Sequence, residues 1–271
     1  MIIRFLLICL LFGFTYSASV SAAPPVQKSP DSTPGGVPVL LYHRFGPTVA
    51  DSMTITTRVF ESHLKYLKDN GYTVIPLRQL VNYDLKKGPL PPPKSVVIVE
   101  DDAHKSVYTD MLPLVKKYNI PVTVFVYPSA ISNAKYAMTW EQLRALKKTG
   151  LFDIQSHTFW HPNFNRDRKK LKPVDFDKFV DIQLRKSKAR LEKELGGTID
   201  LLAWPFGIYD DYLISKAVAA GYKAAFTIER HQASSGDSPM KLPRYLMINA
   251  DQGIAFARIL EGTGPKRTLV F

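Results

Sequence analysis

The sequence predicts an α/β fold, a single domain built as a barrel of parallel strands with helices outside. Three observations carry this. Short, continuous apolar runs recur along the chain, as strands buried on both faces require. Segments with helical spacing of apolar residues alternate with them. Seven or more such units favour a barrel over an open sheet. Of the 271 residues, 45% are hydrophobic and 22% charged, which excludes a disordered or fibrous chain. No repeat or composition shift splits residues 37–262, which read as one domain.

Residues 1–22 read as a secretory signal peptide. Arg4 supplies the positive start, Phe5 to Phe14 form an apolar core short for a bilayer, and Ser17 to Ala23 are mostly small. An uncleaved anchor is the alternative. Cys9, the single cysteine, lies in this segment, so the mature chain is expected to have no disulfide and no thiolate ligand. Residues 23–36, rich in Pro, Ser and Gly, read as a flexible leader.

Val39 to Tyr42 is the first strand, followed by a helix near Thr57 to Asp69 that Asn70-Gly71 ends. A short strand at Tyr72 to Ile75 and a helix at Leu77 to Leu85 come next. Four prolines make Gly88 to Lys94 a stiff loop. Val96 to Val99 is the clearest strand, with a helix after it to Tyr118. Val122 to Val126 is a strand, Thr139 to Lys148 a helix and Phe152 to Gln155 a strand. Phe176, Phe179, Val180, Leu184, Leu191 and Leu195 mark one long helix, stopped by Gly196-Gly197. Strands at Leu201 to Ala203, Ala224 to Ile228 and Tyr245 to Ile248 follow, with a helix at Asp210 to Ala220 between the first two. Residues 263–271 are a tail.

Parallel α/β folds place reactive groups at the C-terminal ends of strands. There the chain carries His43, then Glu100-Asp101-Asp102, then His157 and His161, and the turn Trp204-Pro205-Phe206-Gly207. Two histidines four apart and one carboxylate can hold a cation with a position left open for water. Zinc suits these nitrogen and oxygen donors, and iron, cobalt or nickel also fit. The second carboxylate is placed to take a proton from that water. Each feature alone is common, as a helix cap or a surface pair; their joint placement at strand ends is not. No phosphate loop, nucleophile elbow or H-E-x-x-H motif occurs.

These residues resemble the polysaccharide deacetylases, the NodB-homology or carbohydrate esterase family four enzymes, over residues 37–262. His157-Thr158-Phe159-Trp160-His161-Pro162 fits the family's His-Ser/Thr-x-x-His-Pro motif. Val99-Glu100-Asp101-Asp102-Ala103 stands for Thr-Phe-Asp-Asp-Gly, and Ala203-Trp204-Pro205-Phe206-Gly207 partly matches Arg-x-Pro-Tyr-Gly. The early Leu40-Leu41-Tyr42-His43 is similar to the branch that deacetylates biofilm poly-N-acetylglucosamine. The resemblance implies a distorted (β/α)7 barrel and an exported, metal-dependent N-deacetylase of acetylated polysaccharide. It implies Asp101 as general base and His43 as general acid, with Asp102, His157 and His161 as metal ligands. The backbone N–H of Phe206 would hold the oxyanion, with Pro205 and Trp204 in the same substrate-facing turn. Peptidoglycan, chitin oligomers and O-acetylated glycans are alternative substrates, and a glycan-binding barrel without turnover is the alternative function.

Several residues depart from the family pattern or have two readings. Glu100 would strengthen cation binding if turned to the metal; turned outward, as expected, it does little. Ala103 replaces glycine, and Ala203 replaces the arginine that orients the base. Trp204, Trp160 and Phe159 suit either sugar stacking or a core. His104 reads as a surface residue, His63 as structural or exposed, and His231 as a loop residue outside the cleft. Lysine and arginine number 36 against 24 acids, a net charge of +12. Arg166 to Lys172 reads as a solvated loop or as a contact for an anionic envelope surface. No recognisable nucleic-acid module accompanies that charge.

Overall fold

Neighbouring strand residues face opposite ways, and both faces here are buried. Val39, Leu41, Val97, Val99, Phe125, Leu201 and Phe226 cluster inside the barrel, while Leu40, Ile98, Val124, Ile154 and Leu202 pack outward against helices. That double burial is why these segments are continuously apolar. The computed structural model describes residues 36–264, which lie in one compact unit. The signal-peptide reading of 1–22 with Cys9, the leader up to residue 35 and the tail beyond 264 lie outside the described residues.

The strands are β1 (Val39–Tyr42), β2 (Arg44–Gly46), β3 (Thr54–Thr56), β4 (Thr73–Val74), β5 (Ser95–Asp101), β6 (Val122–Val126), β7 (Phe152–Ser156), β8 (Leu201–Ala203), β9 (Ala224–Phe226) and β10 (Tyr245–Leu246). The main sheet is parallel, in the order β10, β1, β5, β6, β7, β8, β9, with β4 beside the start of β5. It curls back on itself. Leu242 N–H donates to Ala225 O at 2.9 Å and Thr227 N–H to Leu242 O at 2.8 Å, so the segment leading into β10 pairs with β9. Seven strands thus ring the interior, a distorted (β/α)7 barrel. β2 and β3 form a separate parallel pair.

The helices are α1 (Thr57–Asp69), α2 (Leu77–Asp84), α3 (Leu112–Tyr118), α4 (Trp140–Lys148), α5 (Phe164–Lys170), α6 (Pro173–Asp181), α7 (Ser187–Leu195), α8 (Asp211–Ala219) and α9 (Ile254–Leu260). Side-chain caps set several starts. Thr139 and Gln142 form a reciprocal capping box on α4, and Asp210 accepts from Leu213 N–H at 2.8 Å on α8.

Several segments differ from the sequence expectation, which had no strand at β2 or β3. The helix after β5 opens with a π-helical turn at Val107–Met111; α3 then begins at Leu112, beside Pro113, which has no N–H to donate. The long helix runs on as expected but carries a second π-helical turn, Ile182–Lys186, between α6 and α7. The basic run expected as a loop is largely α5, capped by Asn163 and anchored by buried Phe164. Within it Arg168 is committed internally, paired with Asp210 at 2.7 Å and lying over Phe176 at 4.8 Å. No element was expected at α9, whose Phe256, Ile259 and Leu260 face the core.

Phe256 stacks on His63, with ring centroids 4.0 Å apart. His63 is structural and only 1% exposed. Its Nδ1 accepts from the Tyr42 hydroxyl at 3.0 Å, and its Nε2 donates to the Asp251 carbonyl, which fixes the neutral tautomer. Burial lowers its pKa to about 4. The unfolded chain therefore takes up a proton near pH 6.5 that the folded chain refuses, and stability falls as pH drops between the two values. The stability difference between wild type and His63→Gln should shrink by roughly 3 kcal/mol from pH 7 to pH 4. Urea titrations at the two pH values read this, and an unchanged difference contradicts it.

Candidate metal centre

The inward face of the barrel continues past the strand ends. Two residues beyond Leu41 and Val99 come His43 and Asp101, and two beyond Gln155 comes His157. All three line a cavity of about 390 Å³ at the C-terminal rim, with Asp102, His161, Tyr127 and Phe206. This is the face on which such barrels carry chemistry. Cleft formation therefore follows from strand parity: alternation that buries valine below presents polar groups above.

Asp102, His157 and His161 offer ligand atoms all within 4.8 Å of one another. His157 Nε2 lies 3.8 Å and His161 Nε2 3.7 Å from Asp102 Oδ1. His157 Nδ1 donates to the Ala203 carbonyl at 2.8 Å. A carbonyl can only accept, so in the neutral ring Nε2 carries a lone pair rather than a proton. Burial lowers the pKa of His157 to about 3 and of His161 to about 4, keeping both unprotonated. Asp102 Oδ1 is buried without a hydrogen-bond partner among the described residues. An orphaned carboxylate oxygen facing the Nε2 atoms of two imidazoles fits a divalent cation of the zinc type. The Nδ1 bond to Ala203 is the outer-shell support such ligands usually have.

Asp101 is placed differently. Arg244, fully buried, grips it with two hydrogen bonds of 2.8 and 2.9 Å and donates its Nε to Thr227 O at 2.8 Å. Burial alone would raise the pKa of Asp101, but Arg244 and then His157 override it and bring it to about 2. Its Oδ2 lies 3.6 Å from His157 Nε2. Arg244 thus orients the Asp101 carboxylate, reaching it from the segment that closes the barrel. The clue in the sequence is an arginine inside the apolar run Leu242 to Met247. His43 completes the group. Burial lowers its pKa, against the opposing effect of Asp102 and Asp101, and its Nδ1 has no partner among the described residues.

The backbone around the cleft is unusual. Asp102, Ala103, Thr158, His161 and Phe206 all have positive φ, at 84°, 53°, 66°, 53° and 57°. An L-residue pays roughly 1–2 kcal/mol in the left-handed helical region, and clustered strain of this kind accompanies functional sites. Ala103 keeps the turn that glycine would take freely, its methyl buried in the outer core. Gly207 is required: with φ +66°, a Cβ there would sit 2.5 Å from Ile228 Cγ1.

Glu100 faces away from the cavity, as expected, but not toward solvent. It shares the helix side of β5 with Val96 and Ile98, is fully buried and accepts from Ala103 N–H at 3.3 Å. Burial, then Asp102 and Asp101, push its carboxyl well above the usual range, so it braces the turn beneath Asp102. Trp204 is also buried, donating its indole N–H to Met240 O at 3.0 Å; it forms cavity wall and is no exposed sugar platform. Pro205 is buried behind Phe206. Trp160 is 46% exposed. His104 is half-buried on Ser106, and His231 is exposed outside the cavity.

The family model for polysaccharide deacetylases matches residues 89–225. The chain belongs to the polysaccharide deacetylase family. The matched stretch contains Asp101, Asp102, His157, His161 and Phe206; His43 and Arg244 lie on either side of it. This deacetylase is 28% identical over 247 residues to YxkH of Bacillus subtilis (strain 168), covering 88% of this chain and 84% of that one. It is 26% identical over 198 residues to the poly-β-1,6-N-acetyl-D-glucosamine N-deacetylase of Staphylococcus aureus (strain MRSA252), covering 72% and 68%. Its fold matches the Streptococcus pyogenes deacetylase PplD in complex with acetate, with a TM-score of 0.74 and 24% identity over 86% of this chain and 100% of that one. IcaB from Ammonifex degensii gives 0.73 and 24%, covering 85% and 98%.

Because Arg244 and Asp101 are buried as a pair, removing one partner strands the other charge. Arg244→Met is expected to destabilise the deacetylase by about 3–5 kcal/mol at neutral pH. Denaturant titration measures this, and a loss below about 1 kcal/mol would show that the pair is not the buried anchor described.

Proposed function

We propose that this deacetylase removes acetyl groups from N-acetylglucosamine units of an extracytoplasmic polysaccharide, of the poly-N-acetylglucosamine type. The observation that carries the reading is the convergence of Asp102, His157 and His161 beside a second, arginine-held carboxylate. Similarity to the staphylococcal enzyme supports the choice of glycan. The early histidine at position 43 supports it too. Export rests on the character of residues 1–22. The basic surface suits contact with an anionic envelope.

A divalent cation held by Asp102, His157 and His161, most simply zinc, would polarise the amide oxygen and acidify a water molecule. Asp101 is placed to accept a proton from a water attacking the carbonyl carbon. Arg244 keeps Asp101 ionised and fixes the direction of its oxygens. The backbone N–H of Phe206 stabilises negative charge on the carbonyl oxygen. Amide nitrogen cannot leave as an anion, so His43 supplies its proton. The two carboxylates near His43 favour its protonated form against the burial that disfavours it. The C–N bond then breaks, giving acetate and a glycan amine. Pro205 and Trp204 hold the substrate-facing turn in shape.

Zinc-loaded protein should release acetate from N-acetylglucosamine oligomers. Asp101→Asn should lower the rate by about 10²-fold or more while zinc stays bound. His43→Ala should slow turnover with metal content unchanged, whereas His157→Ala should lose the metal. Protein that binds both zinc and oligomer but releases no acetate would instead be a glycan-binding barrel. Faster release from peptidoglycan, chitin oligomers or O-acetylated glycans would move the assignment to that substrate.

A further inference from the structure

The loop between His157 and His161 is held by hydrogen bonds with the helix behind it. Thr158 and His161 both take positive φ, and the turn directs the backbone N–H groups of Phe159 and Trp160 into the protein. One atom receives both. Gln183 Oε1 accepts from Phe159 N–H at 3.2 Å and from Trp160 N–H at 2.8 Å. Gln183 is fully buried and lies in the π-helical turn Ile182–Lys186, a rare feature that recurs at functional sites.

The residue after that turn adds to the clamp. Ser187 Oγ donates to Thr158 O at 3.0 Å and pairs with Ser156 Oγ at 2.8 Å; Thr158 N–H in turn donates to Ser156 Oγ at 3.2 Å. Gln183 Nε2 has no partner among the described residues, although burying an unpaired amide group is costly. Gln183 is therefore matched to the loop through its oxygen alone. Packing would be served as well by leucine or methionine.

We propose that Gln183 is a positioning residue for the metal centre: its side-chain oxygen, presented by the π-helical turn, holds the 158–160 backbone so that His161 faces Asp102 and His157. The inference rests on the reading of those three residues as cation ligands. Without the acceptor, two backbone N–H groups lose their partner and the strained loop relaxes. His161 then leaves the position at which its Nε2 stands 3.7 Å from Asp102 Oδ1.

Zinc affinity, measured by chelator competition on the purified full chain, tests this independently of acetate release. Gln183→Leu should weaken zinc binding roughly ten- to a hundred-fold, as loss of outer-shell support does. Gln183→Glu, which keeps an acceptor oxygen, should restore most of it. Cobalt-substituted Gln183→Leu should show an altered visible spectrum. Should Gln183→Leu fail to fold, Ser187→Ala removes a separate bond to the same loop and should weaken zinc several-fold. Unchanged affinity in the folded variants, or equal losses in Gln183→Leu and Gln183→Glu, overturns the positioning role. A wild type that binds no divalent cation overturns the ligand assignment and the positioning role with it, an outcome distinct from normal binding in the variants.

Discussion

Lone pairs aimed at one point repel unless a positive charge stands between them. Asp102 Oδ1 and the Nε2 atoms of His157 and His161 converge in this way, and burial keeps both rings neutral. The cleft is organised around that constraint. Ala203 holds His157 from behind, Gln183 holds the loop leading to His161, and Glu100 braces the turn under Asp102. Five left-handed backbone positions surround the site.

The two adjacent carboxylates divide their work by direction. Asp101 continues the inward face of β5 and meets Arg244. Asp102 lies where the chain turns over at φ 84°, and looks across the cleft to the histidines. One is therefore held anionic by a fixed cation within the protein. The other is left without such a partner. The pair shows how backbone direction gives neighbouring residues of the same type different charged surroundings.

Much of this was legible in the sequence because the signals are local. The apolar runs gave β1, β5, β6 and β7 close to their observed bounds, and His157-Thr158-Phe159-Trp160-His161-Pro162 announced its own spacing. What escaped notice depends on distant contacts. Arg244 meets Asp101 across 143 positions of chain, and nothing near either residue names the other. The π-helical turn at Ile182–Lys186 interrupts a helix whose apolar spacing continues through it, so periodicity reads one unbroken element. α5 was hidden by its charge, since Phe164 is its single buried residue. Strand parity did contain the answer for Glu100: it shares a face with Val96 and Ile98, which are buried under helices.

The most direct measurement is anomalous diffraction from crystals grown with zinc. The account predicts one strong peak about 2.0–2.2 Å from Asp102 Oδ1 and from Nε2 of both His157 and His161, with Asp101 still gripped by Arg244. A cleft without a peak at saturating zinc, or a peak whose ligands exclude His161, would contradict it.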